Sequence, residues 1–269
     1  VINVKKIIPK HRLTWIPLTI LGIILLYFLG NFIYAKIFKV VPDSTYYILP
    51  SISFNSNDKR MLVFSPHPDD ETLSSGGLIQ AAVARGIEVR VILVTDGNRR
   101  GQGIKRQAEF KKALEGLGVK DQDIIMLGYK DEGTKNVPTA IFQASLEKQI
   151  NGFNPQIVVY PSRFDEHPDH RTTGLMVEKI LQGNNKIEKW AYLVHYRGYP
   201  YPQKLAENRF LMPPSKLFFS CQWYKFNLTS DQEQKKLSAL DNYQVSLGYR
   251  LEKGYLLGFV RQNELFCQE

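Results

Sequence analysis

Two short stretches concentrate the side chains of this chain that do chemistry. "HPDDE", residues 67–71, sets an imidazole and three consecutive carboxylates directly behind the apolar run 61–64. "RFDEHPDHRTTG", residues 163–174, repeats the His/Asp composition about a hundred residues later, behind "QIVVYPS". Neighbouring carboxylates repel one another and a proline stops a strand, so a buried strand ending in such a knot calls for a compensating charge. A divalent cation supplies it. Catalytic zinc sites take three protein ligands from His and carboxylate and keep the remaining position for water. His67 and Asp70, three apart, come to one side of a turn, and His170 completes a His₂Asp set. Zinc brings the pKa of its water to about 7, and Asp69, beside Asp70, is the natural base for the remaining proton.

His167, three before His170, shares its helical face on this spacing and serves as general acid or stabiliser of a developing oxyanion. Asp169 is placed to orient the His167 imidazole, and Glu71 to hold the turn. His195, in "LVHYRG", ends a further strand and reaches the same rim, either as a substrate contact or as a structural histidine. Taken alone, His-Pro-Asp is a turn and His-x-x-His a helix surface; two such clusters behind two strands favour a metal site. "GQG" at 101–103 lacks the strand–glycine–helix placement of a dinucleotide fingerprint, which argues against hydride transfer.

The elements that must position these residues alternate. Strand-like runs at 60–65, 88–97, 123–128, 156–162 and 189–196 are separated by helical patterns at 76–86, 105–118, 139–152 and 170–183. That order predicts an α/β, Rossmann-like layered fold with a mostly parallel sheet, whose ligands sit beyond the carboxyl ends of the strands. Both His/Asp stretches fall there. Beyond residue 197 a segment with four prolines reads as a long loop, of the kind that covers sites, and 230–247 reads as one helix.

The formal charge of +9 looks like a nucleic-acid signal until it is divided along the chain. Residues 1–42 hold six basic side chains and no acid, against 29 basic and 26 acidic residues beyond them, so no nucleic-acid partner is implied. Between Arg12 and Lys36 no charge interrupts "LTWIPLTILGIILLYFLGNFIYA", a length that crosses a hydrocarbon core of roughly 30 Å as a helix. The sequence therefore predicts a cytoplasmic basic tail (1–12), a transmembrane signal anchor (13–36), a linker (37–58) and a domain outside the membrane (59–269). Cys221 and Cys267 lack metal-site spacing and read as two ordinary cysteines, although a pair is open to them outside a cell.

"PHPDDE" followed about a hundred residues later by "HPDH" resembles the PIG-L/LmbE-like zinc-dependent deacetylases, over residues 60 to 196. The resemblance implies Zn²⁺ (or another divalent metal) held by His67, Asp70 and His170, Asp69 as general base and His167 in the transition-state role. It also accounts for Thr95-Asp96-Gly97 and for the Arg106-Gln107-Ala108-Glu109 helix start, with Arg106 either touching substrate or lying solvated on a helix surface. The implied activity is removal of the N-acetyl group from an N-acetylglucosaminyl-type substrate, on a wall, polysaccharide or lipid carrier given the anchor. The alternatives are hydrolysis of another amide, such as a thiol conjugate, and carbohydrate binding without catalysis.

Overall fold

The computed structural model describes residues 12–37 and 39–268, in two units, Val1–Lys39 and Val40–Glu269. The first contains helix α1 (Arg12–Ile37); the expected basic tail, apart from Arg12, lies outside the described residues. The expected single-pass anchor, and with it the placement of the domain outside a membrane, is corrected: no helix among the described residues is long and apolar enough to cross a membrane.

The second unit is built on β1 (Arg60–Ser65), β2 (Glu88–Thr95), β3 (Ile124–Tyr129), β4 (Ile157–Pro161) and β5 (Glu188–Tyr192), all parallel. In the central strands Met61 lies opposite both Val89 and Ile157, and the apolar residues of β1 and β4 are buried on both faces. Helices covering both sides of a parallel sheet are what make such strands apolar at every position rather than at alternate ones. The crossovers are α2 (Asp70–Ala84), α3 (Gly103–Gly116), α4 (Thr139–Phe153) and α5 (Pro168–Leu181). Of these α2 departs most from the sequence reading, starting six residues earlier. "DETLSS" looks like loop, yet every one of its side chains is buried.

The expected fold class holds, and the sheet is larger than read. Two strands absent from the sequence reading, β6 (Gln222–Asn227) and β7 (Asn263–Gln268), extend it to the order β3-β2-β1-β4-β5-β7-β6. β7 runs antiparallel to both its neighbours. Its pattern is obscured because Asn263 and Glu264 are polar yet buried; the Glu264 carboxylate accepts from Gly77 N, Leu78 N and Lys236 Nζ (2.7–2.9 Å). The expected helix 230–247 is two, α6 (Ser230–Leu240) and α7 (Gln244–Leu247), followed by α8 (Arg250–Leu257). Most of the expected linker packs on this unit: Val41 N donates to Pro213 O (3.0 Å), Ile52 N to Lys225 O (2.8 Å), and Val41, Leu49 and Ile52 are buried. Apolar side chains recurring at such intervals in a polar stretch have a core to reach. Cys221 and Cys267 form a disulfide with a Cα separation of 5.9 Å, correcting their reading as independent cysteines. The pairing of β6 with β7 brings them together across 46 residues of chain.

Candidate active site

The strand order reverses between β1 and β4, and a crevice opens beyond their carboxyl ends at that point. Both His/Asp stretches enter it. After β1 the chain turns at Pro66, whose carbonyl accepts from Thr95 Oγ1 (2.7 Å). The turn ends on Asp69, at φ +120°, and α2 begins with Asp70. Arg106 braces it from beneath, donating from Nη1 to Gly97 O (3.0 Å) and from Nη2 to Pro68 O (3.1 Å). Gly97 has φ +59°, and a Cβ there would sit 2.7 Å from Pro68 Cδ, so no larger residue fits. Arg106 is thus neither solvated nor spread toward solvent as a free contact. It is buried, lines the cavity, and lies 3.6 Å from both Asp69 Oδ2 and Asp131 Oδ2.

The second stretch leaves β4 at Pro161 and enters α5 through His167, which caps the helix ahead of Pro168. His167 therefore sits just outside the helix rather than on a face shared with His170. Its Nδ1 accepts from Asp169 N (3.2 Å), which leaves the ring hydrogen of the neutral imidazole on Nε2. α5 lies so close to β4 that a Cβ at Gly174 would be 2.2 Å from Pro161 O.

Where the two stretches meet, His67 Nδ1 and His170 Nε2 are 3.2 Å apart, and both face Asp70 Oδ2, at 3.4 and 2.9 Å. Ligand atoms of His67, Asp70, His170 and His195 lie within 4.8 Å of one another. Asp70 Oδ1 is buried and has no hydrogen-bond partner among the described residues; His195 Nε2 is 3.9 Å from it. Two imidazole nitrogens and a carboxylate with a spare buried oxygen are a donor set that fits a divalent metal. A second grouping, His67, His167 and Asp169, fits less well, because the Asp169 carboxylate is already filled by Glu132 N (2.7 Å), Thr134 N (3.0 Å) and Thr134 Oγ1 (2.6 Å).

The rings of the candidate metal site have carboxylates behind them. Contrary to the expectation that Asp169 orients His167, its Oδ2 contacts His67 Nε2 (3.0 Å), with Asp131 Oδ1 at 3.3 Å from the same nitrogen. Asp165, which sequence reasoning passed over, places Oδ2 3.1 Å from His170 Nδ1. Such partners fix the tautomer and orientation of a ligating imidazole. Asp165 was visible in "RFDEHPDH" as a third acid in the cluster. Asp131, from the loop after β3, carried no sequence signal at all. Glu71 Oε2 accepts from Ser65 Oγ (3.1 Å), and Oε1 from Thr72 Oγ1 and Tyr243 OH.

The electrostatics divide the acids into two kinds. Burial would raise the Asp70 carboxyl, but His170 and His67 outweigh it and hold Asp70 well below the usual range. Burial raises Asp69 to about 6, with Asp70 adding to it and Arg106 and Ser246 opposing. Burial, then the neighbouring rings of His67 and His170, push His167 down to about 4, so it is neutral at pH 7. Burial and His170 likewise push His195 down to about 3. His195 points Nδ1 at Tyr255 OH (3.2 Å), and the Tyr255 ring lies nearly parallel to it.

A cavity of about 490 Å³ opens over this cluster, with Asp69, His67 and His167 in its wall. Its other side comes from segments beyond 197: Gln203, Ser246, Glu252, Tyr255 and Leu256. The proline-rich stretch thus contributes one side chain, Gln203, and most of this wall belongs to α7 and α8.

Residues 62–181 match the family model "PIG-L: GlcNAc-PI de-N-acetylase". A "Probable N-acetyl-alpha-D-glucosaminyl L-malate deacetylase 2" of Bacillus anthracis is 30% identical over 139 residues, 46% of this chain and 60% of that protein. A diacetylchitobiose deacetylase of Thermococcus kodakarensis is 29% identical over 151 residues, 48% of this chain and 53% of the relative. The chain therefore matches little more than half the length of these curated relatives. Among solved structures, N,N'-diacetylchitobiose deacetylase from Pyrococcus horikoshii aligns with a TM-score of 0.53 at 21% identity, over 78% of this chain and 83% of that one. At that identity the likeness speaks for the fold. The matched region, which holds both His/Asp stretches and the α/β crossovers that deliver them to one crevice, is similar to the PIG-L family.

Proposed function

We propose that this chain is a zinc-dependent hydrolase that removes the acetyl group from an N-acetylglucosaminyl-type substrate. The observation that carries this reading is the convergence of His67, Asp70 and His170 on one point, with Asp69 and His167 flanking it in the wall of one cavity. The relatives named for N-acetylglucosaminyl and diacetylchitobiose deacetylation supply the substrate class.

His67 Nδ1, His170 Nε2 and the Asp70 carboxylate would hold the metal, with His195 Nε2 beside them. Bound there, zinc supplies an acidified water and polarises a carbonyl. Asp69, raised to about 6 but still largely ionised at pH 7, takes the second proton of the attacking water. His167, neutral with its hydrogen on Nε2, donates to the carbonyl oxygen as negative charge gathers there. The C–N bond then breaks, and Asp69, now protonated, returns its proton to the departing amine, leaving acetate and the free amino sugar.

The test is acetate release by the zinc-loaded chain from a panel of N-acetylglucosaminyl compounds, with Asp69→Asn as the comparison. Release should fall by roughly 10²–10⁴-fold in the variant while zinc content is kept. Unchanged release would remove Asp69 from the chemistry, and no release from any compound would remove the deacetylase reading.

A further inference from the structure

The break between α6 and α7 places three successive donors against the motif region. Tyr243 OH donates to Glu71 Oε1, Val245 N donates to the Glu109 carboxylate (3.1 and 3.3 Å), and Ser246 Oγ donates to Asp69 Oδ2 (2.7 Å). All six residues are buried. The acceptors lie inside the matched segment 62–181, and the donors lie more than sixty residues beyond its end.

The contact at Asp69 differs from the other two in what it holds. Glu71 has three further donors, whereas Ser246 is the single hydrogen-bond donor to the Asp69 carboxylate among the described residues. Arg106, at 3.6 Å, is beyond hydrogen-bonding distance and is committed to two carbonyls. Asp69 also sits at φ +120°, a conformation that a residue with a Cβ adopts only where its surroundings impose it. With Oδ2 engaged, Oδ1 has no partner among the described residues and is the oxygen left for the cavity that Asp69 lines.

We infer that Ser246 is a positioning residue, which locks the Asp69 carboxylate in the rotamer that presents Oδ1 to the reacting water. The inference rests on the deacetylase reading. It assigns to the C-terminal segment, outside the matched region, a part in the chemistry and not only in shaping the cavity. A base displaced by about 1 Å loses rate steeply, on the order of 10²-fold in the extreme, while substrate still binds.

The experiment compares full-length wild type, Ser246→Ala and Ser246→Thr, each zinc-loaded, on a substrate found by the panel above. Ser246→Ala should lower kcat by about 10-fold or more with KM within roughly 3-fold, at unchanged zinc content and melting temperature. Ser246→Thr, which keeps the hydroxyl, should restore most of kcat. A crystal structure of Ser246→Ala should show the Asp69 side chain in more than one rotamer. Unchanged kcat in Ser246→Ala, or a Thr variant no better than Ala, overturns the positioning role and leaves the deacetylase reading standing. A wild type inactive on every compound overturns that reading and the positioning role with it.

Discussion

Asp165 Oδ2 lies 3.1 Å from His170 Nδ1 and also accepts the backbone N–H groups of Val194 and His195, at 3.1 and 2.9 Å. One buried carboxylate therefore lies against a ring of the candidate metal site and ties the end of β4 to the chain leaving β5. Replacing it with Asn keeps the shape but removes the charge that makes His170 a strong donor. Asp165→Asn should weaken zinc binding by roughly 10–100-fold, read by competition against a chromogenic chelator. Unaltered affinity would reduce Asp165 to a backbone tie.

The metal-free protein should be sensitive to pH in a defined window. Burial would lower His170, but Asp165 and Asp70 outweigh it and raise it to about 9, against an ordinary value of 6.5. A histidine raised in the folded state stabilises it fully below about 6.5 and loses that stabilisation as pH climbs through 9. The melting temperature of the metal-free chain should therefore fall from pH 6.5 to 9. Zinc requires the neutral ring and takes the place of that proton, so saturating zinc should raise the melting temperature more at pH 8.5 than at pH 6.5. Thermal scans at both pH values, with zinc and with chelator, check both statements. A zinc effect larger at pH 6.5 would count against His170 as a ligand.

The Cys221–Cys267 disulfide closes a sequence separation of 46 residues and fastens β7 to the stretch just before β6. A loop of that length is worth on the order of 2–4 kcal/mol through the unfolded chain. Cys221→Ser should lower the melting temperature by roughly 5–15 °C, and reductant should affect wild type but not the variant. α7 and α8 lie between these two strands in sequence, so a looser pairing should also lower turnover near the melting point.

What the sequence by itself determined is the residue types of the candidate site and the parallel core. HPDDE and HPDH supply the His and Asp types of the candidate metal site, and five apolar runs alternating with helical patterns place them behind strands of one sheet. Local information suffices there, because a central parallel strand is apolar at every position and a metal needs its own ligand types. Even so α2 was read six residues short, since the buried acids that serve the site look like a solvated loop.

Only the tertiary structure decided how those residues are held and what closes the cavity. Arg106 became a buried brace because its carbonyl partners, Pro68 and Gly97, come from two other loops. The Asp169 carboxylate turned to His67 rather than His167 because the helix cap leaves its own backbone N–H to His167. β7 was unreadable because its polar residues are paid for by partners on α2 and α6. Ser246 reaches Asp69, and Asp131 reaches His67, only across a long stretch of chain. Spacing along a sequence reports neighbours on the same element; it carries no trace of a hydrogen bond whose two ends meet only when separate elements have packed.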